Sequence, residues 1–73
     1  MKKIEFERLI DFRDTADSAS HELKDLLLLN RIHNLGMSEE EVNKLRIAVG
    51  YLYRIWNRTE RKIQKEFESR GWN

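Results

Sequence analysis

The feature that most constrains the fold is a single turn signal at the centre of a chain that contains no proline. The signal occupies residues 33–38 (HNLGMS), and no comparable break occurs on either side of it. Gly36 suits the left-handed backbone conformation that often follows a helix, and Ser38 with Glu41 forms a capping box that begins the next helix. The sequence therefore predicts two long helices joined by a turn over about 34–38.

Apolar residues after the turn follow a heptad-like pattern. Their spacing alternates between three and four residues, with one threonine in a position that would otherwise be apolar. The stripe consists of Val42, Leu45, Val49, Leu52, Trp56, Thr59 and Ile63. This spacing is typical of one helix with a single buried face, and it predicts a helix over about 38–70.

The first half of the chain shows the same spacing over about 3–33. Its stripe consists of Leu9, Phe12, Ala16, Ala19, Leu23 and Leu26. Short polar side chains between residues 14 and 20 compete for backbone hydrogen bonds and are able to end a helix. A three-helix bundle with a break near residues 14–20 is therefore the alternative to one long first helix.

Two long helices joined by about four residues pack antiparallel. A turn centred near Gly36 places Phe6 close to Phe67 and Ala16 opposite Trp56. The same alignment predicts three ion pairs between the helices, Glu7–Lys65, Asp11–Arg61 and Asp14–Arg58. The expected fold is all-α, with residues 1–73 forming one domain, an antiparallel coiled-coil-like two-helix hairpin.

The small size of the chain predicts a partner. A core in a chain of 73 residues without cysteines rarely contributes more than about 3–5 kcal/mol, and a hairpin buries only one face of each helix. Because two-fold homodimers are the commonest assembly, we expect the hairpin to dimerise into a four-helix bundle. The candidate protein interface comprises Leu28, Leu29, Ile32, Leu35, Met37, Tyr51, Ile55 and Trp72.

A basic stripe on the second helix is the candidate nucleic-acid-binding site. It consists of Arg54, Arg58, Arg61, Lys62 and Lys65. Cations at helical spacing are able to follow a phosphate backbone, but three members are also the predicted partners of acidic residues on the first helix. The overall net charge of +1 gives no bulk field that favours nucleic acid, so the stripe has two interpretations, one functional and one structural.

No pattern in the sequence indicates catalysis. The chain has no cysteine nucleophile and no glycine-rich phosphate loop, and His21 with Asp17 and Asp25 offers at most half of a metal site. We expect no enzymatic activity, metal or cofactor. No signal peptide or apolar span is recognisable, so we expect a cytoplasmic protein that does not bind membranes.

These observations predict a small regulatory protein, an adaptor or an inhibitor, that binds a larger protein through its helix faces. The alternative is an accessory protein that binds nucleic acid through the basic stripe.

Overall fold

A computed structural model describes residues 2–70 of the chain. It contains two helices, α1 (Lys3–His33) and α2 (Glu39–Arg70), which pack side by side as an antiparallel hairpin measuring 50 × 19 × 15 Å. The predicted all-α two-helix hairpin is confirmed. The three-helix alternative is wrong, because α1 continues without a break through residues 14–20.

The polar segment of α1 remains helical, and one of its side chains bonds to the helix backbone. The Thr15 hydroxyl donates a hydrogen bond of 2.7 Å to the carbonyl oxygen of Asp11, one turn earlier. Ser20 is buried at the contact between the two helices, which we call the seam. The Thr15 hydroxyl thus bonds inside the helix and does not end it.

The turn is fixed by its backbone and by one side chain of α1. Asn34 follows the helix with φ = 50°, in the left-handed region, and its N–H donates to the carbonyl oxygen of Asn30 at 2.7 Å. Gly36 has φ = 90°, as a glycine at this position allows. The Asn30 side-chain oxygen also accepts a hydrogen bond of 3.2 Å from the Met37 N–H, so Asn30 connects both ends of the turn.

The predicted capping box at the start of α2 is confirmed. The Ser38 N–H donates to a carboxylate oxygen of Glu41 at 2.9 Å, and the Glu41 N–H donates to the Ser38 hydroxyl at 3.1 Å. The hydrogen bond from the Ser38 backbone lowers the pKa of Glu41, and the bond to the Ser38 side chain acts in the same direction.

The core lies in the half of the hairpin that is remote from the turn, residues 3–20 and 55–70, which we call the open half. The buried residues of the described chain are Phe6, Ala16, Ser20, Thr59 and Ile63. The Phe6 and Phe67 rings meet edge to face with centroids 5.2 Å apart, as the predicted alignment requires. The Thr59 hydroxyl donates to the carbonyl oxygen of Ile55 at 2.8 Å, so its burial leaves the hydroxyl satisfied.

The first helix turns only half of its predicted stripe towards its partner, because Leu9, Ala16 and Leu23 are buried or half-buried whereas other members are exposed. Phe12 and Leu26 belong to the predicted stripe but are 49% and 46% exposed. The row that turns towards α2 in their place, which we call the inward row of α1, is Phe6, Arg13, Ser20 and Leu27. These residues are spaced by seven, so burial of Phe6 against Phe67 brings the whole row inward.

Candidate interaction surfaces

Apolar side chains are exposed in the half of the hairpin next to the turn, residues 21–54, which we call the turn half. No described residue in this half is fully buried. Leu28 and Leu29 are about half exposed, at 51% and 48%, and the exposed fractions of Ile32 and Leu35 are 62% and 65%. These four residues form what we call the turn-end surface.

Two open grooves run beside the helices in the turn half. One, of about 440 Å³, has Leu27, Leu28 and Val42 among its lining residues, with Lys24 and Arg31 also lining it. The other, of about 420 Å³, is lined by the residues Leu26, Met37, Glu41, Lys44 and Leu45. Each groove combines apolar side chains with charged ones.

The residues of the predicted protein interface do not form one continuous surface. Leu28, Leu29 and Ile32 lie near the end of α1, Leu35 follows in the turn, and all four are exposed. Two further members, Met37 and Ile55, are half-buried, while Tyr51 is exposed on α2. Trp72 lies outside the described residues.

Tyr51 lines a shallow groove on α2 together with Ile47, Gly50 and Arg54. A Cβ atom added to Gly50 would meet nothing within 4 Å, so this glycine is not needed for close packing within the hairpin. The guanidinium group of Arg54 lies 5.4 Å from the centroid of the Tyr51 ring, at cation–π distance.

The basic stripe is exposed along its whole length. All five members, Arg54, Arg58, Arg61, Lys62 and Lys65, are exposed. Within residues 2–70, no salt bridge connects any of them to a carboxylate. The three predicted ion pairs between acidic residues of α1 and this stripe are therefore wrong.

The positions of these charges explain why two of the three predicted pairs do not form, Glu7–Lys65 and Asp14–Arg58. Glu7 and Asp14 each come one residue after a member of the inward row of α1, whereas Arg58 and Lys65 each come one residue before an inward-facing position of α2. In two antiparallel helices, such positions lie on opposite sides of the hairpin. Asp14 instead contacts its neighbour Arg13, with an Nε–Oδ1 distance of 3.1 Å.

The ion pair that does connect the helices involves a residue that apolar spacing overlooks. Arg13 Nη1 lies 2.7 Å from a carboxylate oxygen of Glu60, and both side chains are only 24% exposed. The hydrogen bond to Glu60 raises the pKa of Arg13, and the contact with Asp14 adds to this effect. The seven-residue spacing between Phe6 and Arg13 is the sequence signal that would have placed Arg13 at the seam.

The polar side of the seam continues into the turn half. The Lys24 ammonium group lies over the Tyr53 ring, 4.3 Å from its centroid, and donates a hydrogen bond to the Tyr53 hydroxyl. His21 Nε2 is 3.5 Å from Oδ1 of Asp17, and both side chains are exposed. In the part of the chain that the structure describes, no three His, Cys, Asp or Glu side chains are grouped as metal ligands would be.

Neither described helix has an apolar stretch of the length that a bilayer crossing requires. A scan against protein-family models gives no match, and comparisons with curated proteins and with solved structures give no significant match.

Proposed function

We propose that this chain is a small interaction protein, an adaptor or inhibitor rather than an enzyme, that binds another protein through its turn-end surface. The observation that carries the proposal is the exposure of Leu28, Leu29, Ile32 and Leu35 beside one another. Single exposed apolar residues are ordinary on protein surfaces, but contiguous ones mark sites of association.

The spacing of these residues fits recognition of a helix face. Leu28 and Ile32 are four residues apart and Leu29 and Ile32 are three apart, so their side chains project together from the last turns of α1. Helices that bind in grooves use anchors at this spacing. Arg31 and Arg46, which line the adjacent groove, supply charge beside the apolar anchors and would fix the orientation of an acidic partner surface.

The proposal is tested by comparing two isoleucine substitutions at opposite ends of α1. Immobilised wild-type chain is used to recover a binding protein from a lysate of the source cells, and the affinity of the purified partner is then measured by calorimetry. We expect Ile32→Lys to weaken binding by more than about tenfold, as loss of an interface anchor does.

The control is Ile4→Lys, because Ile4 is 55% exposed but lies in the open half. This variant should bind the partner as the wild type does. Equal affinity of all three chains for the partner would contradict the proposal.

A second candidate function is nucleic-acid binding by the basic stripe, and one observation favours it. The five cations lie on one helix without carboxylate partners in the described chain, so their charge is available to phosphate groups. The test is fluorescence anisotropy with labelled DNA and RNA oligonucleotides at increasing salt. Binding through this stripe should fall steeply with salt, and Arg58→Glu should weaken it, whereas Arg8→Glu on α1 should not. Absence of binding at low salt would exclude this function.

A further inference from the structure

One side of the hairpin carries a second apolar row that neither helix buries. On α1 the row contains Phe12, Ala19 and Leu26, and on α2 it contains Ala48 and Ile55, each spaced by seven residues. Phe12 and Leu26 are about half exposed, and the other three are partly exposed. We call these five residues the flank stripe.

The five residues share one side because of their positions relative to the seam. Each α1 member comes one residue before a member of the inward row of α1, and Ala48 and Ile55 come one residue before the inward-facing Val49 and Trp56. In antiparallel helices, these equivalent positions lie beside each other. The groove that Leu26 lines together with Leu45 of α2 is on this side and shows that both helices contribute to it.

The opposite side of the hairpin is different in chemistry. Its equivalent positions in the middle of the hairpin and towards the turn are mainly charged, comprising Asp17, Lys24, Arg31, Arg46 and Glu60. On this side, polar contacts connect the two helices: Glu60 pairs with Arg13, and Lys24 lies over the Tyr53 ring. The flank-stripe side, in contrast, presents an apolar row to which both helices contribute.

The hairpin is too extended to be a complete globular unit. It exposes 5914 Å², whereas a compact protein of 8.9 kDa exposes about 4,800 Å². The excess of about 1,100 Å² is comparable with the roughly 800 Å² that each partner buries in a standard interface. The radius of gyration, 16.2 Å, likewise exceeds the value of about 11 Å for a compact chain of this length.

We propose that the flank stripe binds a second copy of the same chain, so that two hairpins form a two-fold four-helix bundle. This inference rests on the proposed role as a helix-face interaction protein, but it concerns a different surface from the turn-end surface. A second layer of helices against one side of the hairpin would cover the half-exposed Phe12 and Leu26.

Size and charge select the arrangement of the two copies. With α1 of one copy against α2 of the other and both turns at the same end, Leu26 faces Ala48 of the second copy and Ala19 faces Ile55. Large side chains then meet small ones. The same alignment places Asp11 of one copy level with the basic stripe of the second copy, whereas Glu22 and Asp25 lie level with residues 52 and 49, nearer the turn, and Phe12 lies level with Lys62. Pairing α1 with α1 would place like charges together.

The oligomeric state is tested by sedimentation equilibrium at micromolar concentrations. We expect a mass of twice 8.9 kDa for the wild type. Leu26→Lys should raise the dissociation constant of the dimer by more than about tenfold, with the helical circular dichroism retained because Leu26 is half exposed in the hairpin.

Ile32→Lys is the matched control, since Ile32 is 62% exposed but lies outside the flank stripe. It should leave the dimer intact. A monomeric wild type, or a dimer that dissociates with Ile32→Lys and not with Leu26→Lys, would overturn the inference. Because partner binding is measured separately, Leu26→Lys should lose the dimer yet still bind the partner protein, which distinguishes the failure of one proposal from that of the other.

Disulfide formation between engineered cysteines tests the arrangement of the two copies. The sequence contains no cysteine of its own that would form other disulfides. Ala19→Cys and Ile55→Cys are prepared as separate chains, mixed and oxidised. We expect a disulfide-linked dimer only in the mixture. Disulfide-linked dimers in each variant alone would show that α1 faces α1 and α2 faces α2, which would overturn the proposed pairing.

Discussion

The two halves of the hairpin differ in how far each completes its own core. In the open half, Phe6 packs on Phe67, Ile63 is 1% exposed and Arg13 bonds to Glu60 between the helices. In the turn half, no described residue is fully buried, and leucines and isoleucines project outward. The two halves therefore differ in the position of their apolar residues relative to the seam.

Whether the apolar residues of a half occupy inward-facing positions, rather than how many there are, decides how much of that half is buried. Near the turn, an inward-facing position of α1 holds Asn30, which is occupied in bonding the turn, while Leu28, Leu29 and Ile32 fall on outward positions. The chain thus stabilises itself at one end and retains apolar surface at the other. Contiguous exposed apolar side chains of this kind are common at sites of association, which is the basis of the proposed function.

Removal of the most buried side chain of the open half should give the largest difference in stability between the two halves. We expect Ile63→Ala to lower the free energy of unfolding by about 2–4 kcal/mol, because it creates a cavity in the core. Ile32→Ala removes the same atoms from an exposed position in the turn half and should change stability by less than about 0.5 kcal/mol. Urea unfolding followed by circular dichroism, at a concentration too low for association, measures both. Similar losses for the two variants would show that the halves are equivalent.

The ion pair between the helices should give the next largest difference. Glu60→Gln removes the carboxylate that Arg13 contacts on the other helix, in a setting that is 24% exposed, and we expect a loss of about 1 kcal/mol. Glu40→Gln removes the Glu40–Lys44 pair of the turn half, whose side chains are 77% and 72% exposed, and should cost at most a few tenths of a kcal/mol. If Glu60→Gln lowers the free energy of unfolding no more than Glu40→Gln does, the Arg13–Glu60 pair contributes no more than an exposed surface ion pair.

The smallest effect concerns the start of α2, where stability depends on pH. Because the folded state lowers the pKa of Glu41, its contribution is complete above the ordinary glutamate pKa of about 4.3 and is lost as the pH falls through the lowered folded value. Glu41→Gln should therefore reduce the loss of stability in acid. Titration of the Glu41 carboxyl group by NMR checks the cause, and a pKa at or above the ordinary value would contradict the capping assignment.

The sequence was sufficient to predict α2, the turn and the antiparallel alignment. Ser38 and Glu41 define the start of α2 chemically, and its single stripe of apolar residues admits only one inward face. The Phe6–Phe67 contact followed from the alignment alone. These features are local or strictly periodic, so they do not depend on details of packing.

The inward face of α1 was not predictable in the same way. Leu9, Ala16 and Leu23 fit two overlapping seams, one completed by Phe12 and Leu26 and the other by the inward row of α1. Apolar spacing favours the first, but the structure adopts the second. That choice depends on the packing of Phe6 and on the Arg13–Glu60 pair, which bring distant parts of the chain together.

The ambiguity between the two possible inward faces of α1 also makes the flank stripe difficult to predict from the sequence. Apolar spacing alone predicts Phe12, Ala19 and Leu26 to lie in the core of the hairpin, so it does not mark them as an interface. The lack of carboxylate partners for the basic stripe in the described residues has a related cause. The predicted ion pairs depend on a rotation of α1 about its axis that the structure does not have.

Amide hydrogen exchange of the monomeric chain tests most directly the claim that the open half completes the core and the turn half does not. Ordinary fraying from the chain termini would make the amides nearest the turn the slowest to exchange. We predict the reverse, with the slowest amides around residues 16–20 and 59–63 and faster exchange over residues 24–33 and 39–48. Slowest exchange on both sides of the turn would contradict the account.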